Sequence, residues 1–520
     1  MYMIMDMGTS NTRLWLRLPE KTVCATGGFG AGDTKQKGKQ FLHDALRQLI
    51  HGLLQENGVT EDQLTHILAS GMATSELGVW ELPHISLPAD VYTLADNVQS
   101  VTLPQITRIP FLLVPGLKKE WDGKLWDIMR GEEVEAAGIL ASVPAGQPLA
   151  LVLPGTHNKV ILTDAAGMIT DFYTTMSGEV LNNMVENTIL SCQVSHGFEL
   201  HEGALLRGAA YSRDYGLNGA LFHIRVLAKN GMDKDWCSSF LYGCVLEEDC
   251  RLIRKVAAGR KICIAGRENM RKAYSILLAG EPVMQLQHES WALAGLTQLQ
   301  GLVSARENRA KVLQAIEEEK LIAIVRAPDN ERFMDAMDAL WRGGVRLAEV
   351  TFDRSGQIPK AETAALIRQL AEKGRMLVGA GTVTTPEDVV LAYEAGASYV
   401  ISPDCDEQII RLTKQLGMVS IPAAFTPTEI AKAAKLGADY IKLFPADQAG
   451  PGYVKAVTAP LSDVKLLAVG GVDVDNAASF IQNGFRGVGV GAGLYNKKLV
   501  EAGDWEGLEQ LARKFTEAVK

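Results

Sequence analysis

The chain has 520 residues, 47% of them hydrophobic and 22% charged, with a formal net charge of -9 at pH 7. That length exceeds the reach of one hydrophobic core, so two to four domains are expected. No apolar run is long enough to span a membrane, and the acidic balance gives no long-range pull on nucleic acid. Asp6 interrupts the N-terminus where a secretory signal needs a basic segment and a long apolar stretch. The 7 cysteines form no C-x-x-C pair, so the expectation is a cytoplasmic protein with reduced thiols and neither nucleic-acid nor membrane partners.

The chain opens with a strand signal, Met3–Met7, a polar turn Gly8-Thr9-Ser10-Asn11, and a second strand signal, Thr12–Leu18. The pattern returns at Leu151–Leu153, Pro154-Gly155-Thr156-His157 and Asn158–Thr163, which predicts two related α/β lobes, roughly 1–145 and 146–303. Helical periodicity covers 39–55, 132–141 and 178–190. A third glycine turn, Ala265-Gly266-Arg267, follows an apolar strand.

An acid at a strand end followed by a small polar turn suits a nucleotide phosphate. Asp6 would hold Mg²⁺ directly or through water, and Gly8, Thr9, Ser10 and Asn11 would offer backbone N–H groups and hydroxyls. Gly155, Thr156 and Lys159 would form a second phosphate turn, with Gly266 on the nucleotide side. There is no G-x-x-x-x-G-K-[ST] and no G-x-G-x-x-G before a helix, which excludes P-loop and Rossmann readings. For the base at the acceptor hydroxyl, Glu132 is preferred, with Glu133, Asp127 and Asp171 as alternatives. The bland reading of Glu132 and Glu133 is helix capping. His157 would orient the turn, and Lys159 lies either near the transferring phosphate or in solvent.

A seam is expected at 303–312, a short linker between a closing helix over 288–302 and a new one over 310–319, giving domains 1–303 and 304–520. Beyond it lie eight strand candidates: 321–326, 347–352, 376–381, 399–403, 419–425, 440–445, 465–471 and 487–493. Helical stretches ending in glycine separate them, which predicts a (β/α)₈ barrel over an open doubly wound sheet. The strand ends carry Arg326, Glu349, Thr382, Ser402, Thr426 and Lys442. An ammonium inside an apolar strand is costly unless paired or chemically employed. Desolvated, it loses its proton near neutral pH and attacks a ketone as a Schiff-base nucleophile. Glu349 would shuttle protons, Arg326 would clamp a carboxylate, Thr382 would add a hydrogen bond, and Ser402 and Thr426 would also contact the substrate. Gly470, Gly471, Gly491 and Ala492 would leave backbone N–H groups free for a phosphate. Asp353 and Arg354 are either solvated loop or part of the site. No His/Asp/Glu cluster marks a metal at the strand ends, so this half would need no cofactor beyond its own lysine imine.

Several motifs carry a resemblance. Gly344-Val345-Arg346-Leu347-Ala348-Glu349-Val350-Thr351, Val378-Gly379-Ala380-Gly381-Thr382-Val383, Ile401-Ser402-Pro403 and Lys442-Leu443-Phe444-Pro445-Ala446 make 310–515 resemble the 2-keto-3-deoxy-6-phosphogluconate / 6-phosphogalactonate aldolases. That resemblance implies a class I barrel releasing pyruvate and glyceraldehyde 3-phosphate, with Lys442 as the Schiff-base lysine, Glu349 as acid/base, and a homo-oligomer, a trimer through the barrel. The chain departs at Asp353, where some members carry arginine. It departs again at Gly491-Ala492-Gly493, where a serine often stands, and at Ala423, where glycine often follows the proline. Asp6-Met7-Gly8-Thr9-Ser10-Asn11-Thr12-Arg13, Met129-Arg130-Gly131-Glu132-Glu133 and Pro154-Gly155-Thr156-His157-Asn158-Lys159 make residues 1–303 resemble 2-dehydro-3-deoxygalactonokinase, an actin-like sugar kinase. Met7 departs from the tryptophan of many members. Together the resemblances imply a bifunctional enzyme using ATP and Mg²⁺ to phosphorylate 2-dehydro-3-deoxy-D-galactonate and then cleaving the 6-phosphate. The alternative is a barrel for the gluconate epimer or 4-hydroxy-2-oxoglutarate, preceded by a regulatory nucleotide-binding module.

Overall fold

The computed structural model describes residues 1–326 and 331–520, which form two compact units, Met1–Gly301 and Leu302–Lys520. Among the described residues no helix is long and apolar enough to cross a membrane.

The first unit contains strands β1 (Tyr2–Met7), β2 (Thr12–Arg17), β3 (Thr22–Gly27), β4 (Ile67–Gly71), β5 (Ile85–Ser86), β6 (Gln99–Val101), β7 (Phe111–Leu113), β8 (Leu117–Trp121) and β9 (Lys124–Met129). Next come β10 (Leu149–Leu153), β11 (Asn158–Thr163), β12 (Ile169–Thr175), β13 (Lys261–Ile264) and β14 (Val283–Gln285). One sheet runs β3-β2-β1-β4-β7-β6 and another β12-β11-β10-β13-β14, while β5, β8 and β9 form a small third sheet. In both large sheets an antiparallel three-stranded meander continues into two parallel strands, so the lobes share a five-stranded pattern, to which the first adds an antiparallel edge strand, β6. Parallel neighbours need crossovers, and helices such as Thr34–Glu56 and Ser177–Glu186 lie between them. The strand β10, Leu-Ala-Leu-Val-Leu, is buried throughout, as a central strand covered on both faces requires. Helices Glu202–Lys229 and Lys234–Val256 pack closely at glycines: a Cβ on Gly208 would stand 2.1 Å from the Phe240 carbonyl oxygen, and one on Gly243 2.0 Å from that of Leu205.

The second unit contains β15 (Leu321–Val325), β16 (Leu347–Thr351), β17 (Leu377–Gly381), β18 (Tyr399–Ile401), β19 (Val419–Ile421), β20 (Ala423–Ala424), β21 (Ile441–Leu443), β22 (Leu466–Val469) and β23 (Gly487–Val490). Their order is β19-β18-β17-β16-β15-β23-β22-β21-β20, all parallel. Since β19 and β20 are halves of one strand interrupted at Pro422, which has no N–H for the ladder, the sheet closes on itself as a TIM-like barrel. The open-sheet alternative is excluded. Ile322, Leu347, Tyr399, Ile401, Val419, Ile421, Tyr440 and Leu467 fill the interior with Val312 and Ile316. The stretch expected as a linker is helical, part of the single helix Trp291–Glu319.

Candidate active sites

Lys442 lies mid-strand on β21, only 6% exposed, its Nζ 4.8 Å from the centroid of the Phe444 ring. Among the described residues its amine has no ion-pair partner. Burial pulls its pKa below the usual lysine value; the Glu349 charge opposes that shift and the Arg326 charge reinforces it. Glu349, on β16 and 2% exposed, is shifted the other way: burial raises its pKa against the charges of Lys442 and Arg326. Both groups are therefore driven toward their neutral forms, a nucleophilic amine beside a carboxyl able to give a proton. A Cβ on Gly381 would stand 1.6 Å from Glu349 Oε1, so the carboxyl occupies the space where any other residue would put its side chain.

Around this pair the expected residues separate. Arg326, Gly470, Gly471, Gly491 and Ala492 wall a cavity of about 550 Å³, and Phe444 joins that wall while facing Lys442. Gly470 and Gly471 adopt φ of 95° and 71°, conformations that favour glycine and turn the backbone toward the cavity. Thr382, Ser402 and Thr426 are not on that wall. Thr382, half-buried, holds φ at 55°, a strained conformation for a β-branched residue at the end of β17. Ser402 is buried. Thr426 is exposed and caps the helix Pro427–Lys435: its Oγ1 donates to Glu429 Oε2 at 2.9 Å and accepts from the Glu429 N–H at 3.4 Å. That hydroxyl is committed to the fold, which corrects the expectation of a substrate contact. Asp353 is likewise a loop cap, its pKa held to about 2 by N–H donation from Ile358 and by the Ser355 hydroxyl and N–H. Lys497, which the sequence reading missed, adds a cation to the cavity wall 3.6 Å from Glu501 Oε1. It lies only a few residues beyond Gly491-Ala492-Gly493, and that spacing was the available signal.

In the first unit, the turn Gly8–Asn11 is closed by the Gly8 N–H donating to the Asn11 carbonyl. Gly30 and Gly32 press against it, with the Ala31 and Gly32 N–H groups donating to the Gly8 and Thr9 carbonyls. A Cβ on Gly30 would stand 2.5 Å from the Gly8 oxygen. The signal was the run Gly27-Gly28-Phe29-Gly30-Ala31-Gly32. Asp6 ends in the same place as Gly71, Gly131 and Glu132: a Cβ on Gly71 would lie 3.3 Å from Asp6 Oδ1, and one on Gly131 3.2 Å from Gly71 Cα. Burial raises the pKa of Asp6, aided by the Glu132 charge and opposed by Arg13. Burial raises Glu132 too, against Lys159. Glu135 is pushed up to about 8 by burial and by the charges of Asp6 and Glu132.

The alternatives to Glu132 are occupied. Both Glu133 oxygens accept from the Gly131 N–H, Asp127 accepts from the Thr174 N–H and hydroxyl, and Asp171 pairs with Lys119 at 2.6 Å. Glu132 accepts from the Arg130 N–H through Oε2, and from its own N–H. Lys159 is buried on β11, its Nζ donating to the Ile128 carbonyl at 2.8 Å and the Thr174 hydroxyl at 2.6 Å. This rules out the solvated-lysine reading, and its charge acts on Glu132. The second turn is braced from behind: the Gly155 N–H donates to Asn158 Oδ1, Asn158 Nδ2 donates to Asp249, and Asp249 also accepts from Tyr274 and Ser177. The Glu179 N–H donates to the Thr156 carbonyl, and His157 meets Glu179 at 3.0 Å. Gly266, at φ 92°, lies against Pro154 beside this turn. Among the described residues no group of three or more His, Cys, Asp or Glu is placed to hold a metal.

Residues 6–299 match the family described as 2-keto-3-deoxy-galactonokinase, and 312–511 match KDPG and KHG aldolase. The chain is 37% identical over 188 residues to a Rhizobium meliloti (strain 1021) protein named "Probable 2-dehydro-3-deoxy-6-phosphogalactonate aldolase", covering 36% of this chain and 86% of that one. It is 34% identical over 178 residues to the 2-dehydro-3-deoxy-6-phosphogalactonate aldolase of Escherichia coli (strain K12), covering 34% and 84%. With the 2-dehydro-3-deoxy-phosphogluconate aldolase of Pseudomonas aeruginosa the identity is 29% over 214 residues, covering 41% and 94%. The chain belongs to the 2-keto-3-deoxy-galactonokinase family through its first unit and to the KDPG and KHG aldolases through its second, a bifunctional sugar kinase and aldolase of a deoxy-sugar-phosphate pathway.

Proposed function

We propose that the first unit phosphorylates the 6-hydroxyl of 2-dehydro-3-deoxy-D-galactonate with ATP and that the second cleaves the product to pyruvate and D-glyceraldehyde 3-phosphate. The observation that carries the cleavage is the buried amine of Lys442, without an ion-pair partner among the described residues, beside Glu349 in a closed barrel with a cavity at its mouth. The neutral amine attacks the C2 carbonyl, and Glu349 gives the proton that lets the carbinolamine hydroxyl leave as water. The iminium draws electrons from the C3–C4 bond as the carboxylate takes the C4 hydroxyl proton. Glyceraldehyde 3-phosphate departs, the enamine is protonated at C3, and hydrolysis returns pyruvate and the lysine. Arg326 would face the substrate carboxylate, and the glycines at 470, 471 and 491 with Ala492 would hold the phosphate by N–H groups.

For phosphoryl transfer, Asp6 would hold Mg²⁺, which would supply charge neutralisation at the phosphates. The Asp6 and Glu132 charges act on Glu135 and on each other, and the ion would be held by Asp6 alone among these carboxylates. Thr9–Asn11 and Thr156 would offer backbone N–H groups to ATP, the Gly8 and Gly155 N–H groups being used inside their own turns, and Glu132 Oε1 would orient the acceptor hydroxyl. The galactonate epimer is favoured because this aldolase is joined to a galactonokinase-family unit and because two of its relatives bear that substrate in their names.

Incubation with ATP, Mg²⁺ and each 2-keto-3-deoxy sugar acid tests the proposal through pyruvate release. Pyruvate should form from the galactonate epimer and only with ATP. Equal or faster release from the gluconate epimer would overturn the substrate assignment.

A further inference from the structure

Glu349, Gly379 and Tyr399 are register partners on β16, β17 and β18, so they form one row and project to the same face of the barrel wall. The middle member has no side chain, and both neighbours use the space. A Cβ on Gly379 would stand 2.1 Å from Tyr399 Cε2, which places the phenol ring across the backbone of β17. From the other side, Glu349 leans over Gly381, two residues nearer the mouth. Carboxyl and phenol thus converge over Gly379-Ala380-Gly381.

The polar ends of both side chains are buried and unmatched. Tyr399 Oη and Glu349 Oε2 are each shielded from solvent and lack a hydrogen-bond partner among the described residues. One is a donor with nothing to donate to, the other an acceptor with nothing to accept, among the described residues of a cylinder filled mainly by apolar side chains. Buried polar groups are almost always satisfied, and exceptions call for an explanation. A phenylalanine would fill the same volume without the cost of a desolvated hydroxyl. The Glu349 charge also adds to burial in holding the phenol proton on, so Tyr399 remains a donor.

We infer that Tyr399 is the positioning residue of Glu349, its hydroxyl donating to Oε2, directly or through one water, whenever the carboxylate is charged. That bond would leave Oε1, above Gly381, to exchange protons with the substrate. It would also favour the charged carboxylate that must accept the C4 hydroxyl proton. The inference rests on the aldolase reading above.

Tyr399→Phe tests it by the pH profile of cleavage of the 6-phosphate. Losing a donor to the carboxylate should raise the acid-limb pKa by about one unit, with kcat about tenfold lower below that limb. In the Glu349→Gln background the same substitution should cause no further loss, because the tyrosine acts through the charge that variant lacks. An unshifted profile, or a loss that multiplies in the double variant, would overturn the inference and leave Tyr399 a packing residue. If Tyr399→Phe does not fold, Tyr399→Leu is read the same way. Borohydride trapping of pyruvate on the unaltered protein separates the two claims: absence of trapping sinks the aldolase reading, whereas trapping with an unmoved profile sinks only this one.

Discussion

Gly381→Ala adds a single methyl group, and its consequence follows from geometry. The new Cβ would stand 1.6 Å from Glu349 Oε1, 2.4 Å from its Cδ and 2.7 Å from its Cγ. Ordinary contact begins near 3.4 Å, so the carboxyl must retreat by about 1.8 Å. Displacement of a catalytic group by about 1 Å costs on the order of 10²-fold in rate, or about 2.7 kcal/mol of barrier, and this move is larger. Cleavage of the 6-phosphate, followed by coupling pyruvate to lactate dehydrogenase, should therefore fall at least about 10²-fold. ADP release in the phosphorylation step should be unchanged. Borohydride trapping of pyruvate on Lys442 should weaken less than cleavage, since Lys442 itself stays in place. A variant that cleaves at the native rate would refute the assignment of proton transfer to Glu349 in this position.

Glu132→Gln should lower kcat for phosphorylation by about 10²-fold or more while leaving cleavage of supplied 6-phosphate intact; a normal ADP release rate would return the role to another group. Lys497→Ala should raise KM for the phosphorylated substrate about tenfold, in line with the loss of one charge-assisted contact, with kcat kept and the effect shrinking as salt is added. A KM that does not move would place that lysine outside the phosphate site. The buried pair also fixes a pH dependence of stability. Glu349, raised in the fold, contributes stability below its unfolded pKa that is lost as pH rises through the folded value. Lys442, lowered in the fold, gains stability as pH rises from its folded pKa toward the ordinary lysine value. At neutral pH both groups cost stability, so Glu349→Gln and Lys442→Met should each melt a few degrees higher than the parent, by about 2–4 °C per kcal/mol for a domain of this size. Scanning calorimetry showing lower melting for both would mean that the pair is a structural ion pair.

The barrel was legible because most strands are short apolar runs closed by a polar or glycine residue, and most crossover helices end within two residues of a glycine. The first unit was legible as two lobes because the strand–turn–strand pattern of 3–18 recurs at 151–163. The helical linker was missed for a physical reason: Ala305, Arg306, Glu307 and Arg309 favour helix, and no proline or glycine interrupts them. The charge on Lys442 announced itself inside an apolar strand, while Tyr399 did not, since an aromatic there reads as core. Gly30 pressing on Gly8, and Asp249 bracing the second turn, are contacts between distant segments that local pattern cannot supply. Thr426 shows the opposite error, a polar residue at a strand end whose hydroxyl serves the helix after it.

The central claim is that a buried neutral amine at Lys442 forms an imine with the keto acid. The direct measurement is mass spectrometry of protein treated with pyruvate and borohydride, then digested. The account predicts a reduced pyruvate adduct on the peptide containing Lys442, absent in Lys442→Met, which should still phosphorylate the sugar acid. An adduct on a different lysine, or cleavage without any adduct, would contradict it.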